Sequence, residues 1–124
     1  VNQLAERISD SELDVMKVLW EAEDALPVTV IREKLQERKG WEATTVKTLV
    51  SRLLGKGVIA QEKRKVFFYS PLVTEAEYNE WATSNLIHRL YKGSAKNLIA
   101  ALVRSDDLTE ADLKELREMF VVED

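Results

Sequence analysis

A mostly α-helical chain with one small β-hairpin is what this sequence predicts, and three observations predict it. Val46, Leu49, Val50 and Leu53 fall at the i, i+3, i+4 and i+7 spacing of a helix with one apolar face. Just beyond Gly57 come two β-rich runs, Val58–Glu62 and Val66–Ser70, around the basic turn Lys63-Arg64-Lys65. Capping-box patterns then mark three helix starts: Ser9 with Glu12, Thr74 with Glu77, and Thr109 with Asp112. A helix leading into a hairpin with a cationic tip is the layout of a winged helix-turn-helix. The expected division is therefore a winged helix-turn-helix over 1–72 and a helical dimerisation domain over 73–124.

The elements follow in order. Ser9 caps a first helix from about Asp10 to Glu23, stapled by Ile8 and Leu13, with Leu13, Met16, Leu19 and Trp20 inward. Pro27 ends a short link, and Thr29 is the expected cap of a second helix that reaches Lys39 and buries Ile31 and Leu35. Gly40 stops it. A third helix spans Ala43 to Lys56, with Gly57 where a left-handed residue is wanted. Pro71 closes the hairpin. Three more helices are expected, from Glu75 to Tyr91, Ala95 to Val103 and Glu110 to Val121.

The face of the third helix opposite its aliphatic stripe carries Thr44, Thr48 and Ser51, flanked by Lys47 and Arg52. Hydroxyls serve phosphates or base edges, and the cations reach phosphate or guanine, so this face suits a DNA major groove. A threonine-rich face taken alone is ordinary solvated surface, and so is a basic turn taken alone. Their succession in one segment argues for DNA. Trp41, Phe67 and Tyr69 could stack on bases, but packing beneath the helix-turn-helix is the expected role.

Whole-chain charge is −4, which conceals an asymmetry. Residues 1–72 hold 12 Lys+Arg and 11 Asp+Glu, whereas 73–124 hold 6 and 11. Between residues 43 and 65, Lys47, Arg52, Lys56, Lys63, Arg64 and Lys65 face Glu62 alone. Local potential governs phosphate attraction, because salt screens beyond about 8–10 Å. The acidic half is expected to face away from DNA.

Without cysteine there is no disulfide, thiolate metal site or cysteine nucleophile, which fits a cytoplasmic protein. No apolar run reaches the roughly 20 residues of a membrane span. His88 is the lone histidine and is expected at the surface. The pairs Asp106-Asp107 and Glu123-Asp124 sit at a helix entrance and the chain end, where they do not converge on a substrate. No catalytic residue, metal or cofactor is expected. The helices after Pro71 carry Tyr78, Trp81, Leu86, Leu90, Leu98, Leu102, Leu113, Leu116 and Phe120, more apolar surface than short helices can shield alone. A second copy of the same segment is the expected cover.

The strings ISDSELDVMKVLW, WEATTVKTLVSRLLGKGVI, KRKVFFYSPLV and LIHRLYKGSAKNLIAALV resemble the penicillinase-repressor family (BlaI/MecI/CopY type) from about Ile8 to Phe120. The most specific match is Trp41, Thr45, Val46, Lys47, Thr48, Leu49, Val50, Ser51, Arg52, Leu53, Lys56, Gly57 and Ile59. The resemblance implies a homodimeric repressor on an inverted-repeat operator with TACA and TGTA half-sites, of the β-lactam-resistance type. By the same resemblance Thr44, Thr45, Lys47, Thr48 and Arg52 would contact the operator helix, and Lys63, Arg64 and Lys65 would be wing contacts. In that branch a membrane sensor-protease system cuts the repressor and collapses the dimer; the matching position reads Ala101-Leu102 instead of Asn-Phe. The alternative is a copper-homeostasis repressor of the same family, although the cysteine motif of that branch is absent. A winged-helix module that binds protein is a further alternative, from another class.

Overall fold

A computed structural model of the chain describes residues 3–121. The elements are α1 (Asp10–Glu21), β1 (Leu26–Pro27), α2 (Val28–Lys39), α3 (Ala43–Gly55), β2 (Ile59–Lys63), β3 (Phe67–Pro71), α4 (Glu75–Leu90), α5 (Ala95–Arg104) and α6 (Glu110–Met119). A single 3-10 turn, Ala5–Arg7, precedes α1. Mostly α with a β-hairpin is thus the observed class.

Each expected capping box forms. Ser9 accepts from the Glu12 N–H while Glu12 accepts from the Ser9 N–H, and Thr74 with Glu77 and Thr109 with Asp112 do the same. The helix ends differ by one or two residues from expectation. α1 stops at Glu21, because Ala22 is already extended (φ −84°, ψ 142°). Thr29 does not cap α2. Pro27 occupies that position with no side-chain bond, its fixed φ of −73° suiting both the strand before and the helix after.

The hairpin gains a third strand that the sequence does not suggest. β1 pairs with β3 (Leu26↔Tyr69, Pro27↔Phe68), so the sheet order is β1-β3-β2. In the hairpin Ile59 opposes Pro71 and Lys63 opposes Phe67. Both strands run one residue later than expected. Lys63 is therefore the last residue of β2, and the turn is Arg64–Val66, closed by the Arg64 N–H donating to the Val66 carbonyl at 3.0 Å.

One core holds these elements together. Val46, Leu49, Val50 and Leu53 of α3 are buried against Ile31 and Leu35 of α2 and against Met16 and Leu19 of α1. Val15 and Val18 are buried too, whereas Leu13 and Trp20 are only half-buried and pack on the margin. Val58, Ile59 and Val73 complete it from the sheet side.

The chain divides into two compact units, Val1–Thr83 and Ser84–Asp124. The first unit thus runs past the expected joint at 72/73. Val73 is fully buried, the Trp20 indole N–H donates to its carbonyl at 2.8 Å, and Tyr78 stacks between Trp20 (5.7 Å) and Trp81 (5.9 Å). Tyr78 and Trp81, expected on a dimer surface, pack on the core of the first unit instead. Trp20→Phe removes the donor from a carbonyl beside the core. It should cost about 1–2 kcal/mol in urea denaturation, and an unchanged midpoint would show the bond to be dispensable.

The second unit is built differently. α4 ends with Gly93 at φ 82°, where the Gly93 N–H reaches back to the Ile87 carbonyl at 3.1 Å. Ser94 caps α5 by accepting from the Asn97 N–H, a one-sided cap without the acidic partner that makes the other three recognisable in sequence. α5 runs one residue beyond the expected end, and α6 stops two short of Val121. Among the described residues, none after Val73 is buried.

Candidate nucleic-acid interface

The outward face of α3 is where the sequence places it. Thr44, Thr45, Lys47, Thr48, Ser51 and Arg52 are all exposed, while the four aliphatic positions beneath are at most 5% exposed. The Thr48 hydroxyl donates to the Thr44 carbonyl at 2.9 Å. Its proton is thus occupied, and the side chain offers outward a lone pair and a methyl group. Such a surface accepts from a base amino group and packs on a thymine methyl. No protein group engages the Lys47 ammonium or the Arg52 guanidinium among the described residues.

Cations of the basic segment are not equivalent. Lys56 is drawn inward: its ammonium donates to both Glu12 carboxylate oxygens at 2.7 and 2.9 Å and to the Arg7 carbonyl at 2.9 Å. Arg7 in turn donates to the Lys56 carbonyl at 3.0 Å. Lys56 therefore leaves the DNA-facing set and bolts the C-terminal end of α3 to the start of α1. Glu12 is 1% exposed. Burial alone would push its carboxyl up, but Lys56 and the Ser9 backbone and hydroxyl together hold it below the ordinary 4.5.

In the wing, Lys63 lies 5.7 Å from the Phe67 ring centroid and Arg64 lies 4.4 Å from that of Phe68. Arg64 also pairs with Glu62 at 3.2 Å and approaches Asp24 at 3.9 Å. Lys65 has no such partner among the described residues. Tyr69 and Trp41 pack on the core as expected, but Phe67 is 43% exposed.

The remaining positions are placed as follows. Leu86, Leu98, Leu113 and Leu116 are half-buried, and Leu90, Leu102 and Phe120 are exposed. The Ala101-Leu102 bond lies inside α5. His88 is exposed, with Nδ1 2.9 Å from the Ser84 carbonyl. Asp107 accepts from the Ser105 hydroxyl at 2.7 Å, while Glu123-Asp124 lies outside the described residues. Among the described residues no His/Asp/Glu group could hold a metal, and no helix is long and apolar enough to cross a membrane.

An aliphatic underside that turns hydroxyls and cations outward, next to a three-stranded sheet with a cationic hairpin, defines a winged helix-turn-helix protein of the DNA-binding kind. The family model described as penicillinase repressor matches residues 8–121, and the chain belongs to that family. It is 34% identical over 114 residues to the methicillin resistance regulatory protein MecI of Staphylococcus aureus, covering 91% of this chain and 92% of that one. It is 32% identical over 115 residues to the penicillinase repressor of Bacillus licheniformis, covering 92% and 89%. Among solved structures, the DNA binding domain of the repressor BlaI matches with a TM-score of 0.54 at 32% identity, over 63% of this chain and 94% of that one. The monomeric form of Bacillus licheniformis BlaI in complex with the blaP half-operator matches with a TM-score of 0.51 at 35% identity, over 57% and 87%. The protein is a DNA-binding repressor.

Proposed function

We propose that this repressor acts as a homodimer on an inverted-repeat operator of the TACA/TGTA type, in the cytoplasm, as a regulator of β-lactam resistance. One observation carries the reading of the site: six polar or cationic side chains of α3 point outward over a fully packed aliphatic stripe. The BlaI relative solved with a half-operator supports DNA as the occupant of that face. In this reading each α3 enters a major groove. The two copies stand about one helical turn, roughly 34 Å, apart.

The second unit supplies the dimer. Its apolar side chains are half-buried or exposed within one chain, and a matching set from a second copy would cover what is left open. Repression then ends when the dimer is lost. A cut by a membrane sensor-protease system at Ala101-Leu102 would sever α5 and remove that surface, because the bond lies mid-helix.

The experiment is a competition gel shift with operator and scrambled duplex. Lys47→Ala and Thr48→Ala should each lower the preference for operator by about 5- to 100-fold, the worth of one base contact. Unchanged discrimination would remove α3 from the base edges. In the wing, Lys65→Ala should weaken binding to all duplexes and reduce the log–log salt slope by about 0.9 per subunit bound. Arg64→Ala should do less, since Glu62, Asp24 and Phe68 already hold that guanidinium.

A further inference from the structure

An open cleft of about 470 Å³ lies between the start of α1 and the outward face of α3. Thr44, Thr45, Thr48 and Arg52 of the proposed reading face line it on the α3 side and Ser9 and Ser11 on the α1 side, with Trp41 and Leu49 also in the lining. No carboxylate lines it among the described residues. The hydroxyl of Ser9 at its margin is committed to the Glu12 N–H, but Ser11 is exposed and its hydroxyl has no partner among the described residues. Hydroxyls on both walls and one unpaired guanidinium, with no acid, form a lining complementary to a phosphodiester strand. The cleft is also continuous with the base-reading face, and a DNA strand bordering the major groove must pass beside that face.

We propose that this cleft seats the sugar–phosphate strand next to the bases read by α3, with Arg52 on the near side and Ser11 gripping a phosphate from the far side. The inference rests on the DNA-binding reading above and extends the interface to α1. Ser11 then positions the duplex and carries no sequence information.

The test uses the full-length protein with Ser11→Asp and Ser11→Lys. Ser11 is the second residue of α1 and is exposed, and a carboxylate in a first helical turn is favourable, so Ser11→Asp should fold at least as well as the parent. Thermal unfolding checks this. Ser11→Asp should weaken operator and scrambled duplex by the same factor, about tenfold or more, leaving their ratio unchanged. Ser11→Lys should tighten both and steepen the log–log salt slope by about 0.9 per subunit bound. Ethylation interference should lose one phosphate per half-site in Ser11→Asp. Binding of both variants equal to the parent would overturn the proposal, and so would a changed operator-to-scrambled ratio, which would move Ser11 to a base edge. Failure of the unsubstituted protein to prefer operator would instead overturn the DNA-binding reading itself.

Discussion

Lys56→Ala should destabilise the winged-helix unit by about 3 kcal/mol, the low end of what breaking a buried ion pair costs. Glu12 is 1% exposed, whereas the Lys56 side chain keeps 37% of its surface in solvent. Losing the lysine strands a buried carboxylate with only Ser9 to bind it. Losing the carboxylate frees a lysine that can turn to water. Glu12→Gln should accordingly cost about 1–2 kcal/mol, since its amide oxygen still accepts from the Ser9 N–H. The double variant Glu12→Gln/Lys56→Met should recover much of the Lys56→Ala loss. Acid titration gives a sharper signature. In the parent the Glu12 carboxyl is held below 4.5, so its contribution is present above that pH and is lost as pH falls through the lower folded-state value. Without Lys56, burial is opposed by Ser9 alone, so the carboxyl moves up from its parent position and the loss of stability on acidification shrinks. Urea midpoints across the acid limb measure both. A Lys56→Ala cost equal to that of Glu12→Gln would refute the asymmetry.

That pair also marks where sequence reasoning stops. Ser9 with Glu12 is legible because a capping box spans three residues, and the α3 stripe is legible because its period lies within one helix. The ion pair between Glu12 and Lys56 joins positions 44 apart. Local pattern can only read the first as a cap and the second as one more basic residue near DNA. β1 is hidden for a related reason. Two residues, one a proline, show no alternation, and only their partners Tyr69 and Phe68 make them a strand. Thr29 is a good cap by residue type and loses the position to Pro27, which the strand pairing fixes. Within the wing, Lys63 and Arg64 lie over aromatic rings, whereas Lys65 has no such contact among the described residues. Composition makes those three cations alike. The apolar face of α4 was visible, but periodicity does not say which neighbour a face meets; Tyr78 and Trp81 meet Trp20 and the first core.

This division of α4 makes the dimer testable by contrast. Leu102→Glu with Phe120→Glu places two charges on the proposed contact surface of the second unit, at positions that are exposed in the single chain. The expected result is a protein sedimenting at half the assembled mass with the winged-helix unit still folded. If each subunit neutralises about four phosphates, the log–log salt slope on a full operator should fall from about −7 to about −3.6. Operator affinity should drop by about 10²- to 10⁴-fold, because the second half-site is no longer tethered to the first. Trp81→Ala should do the reverse. It loosens the ring stack on Tyr78, so the first unit melts earlier, yet the oligomer survives in sedimentation while that unit stays folded. If the double-glutamate protein stays dimeric, or if Trp81→Ala dissociates a chain whose winged helix is intact, the contact surface lies on the first turns of α4. The boundary of the dimer would then return to the residues just after Pro71.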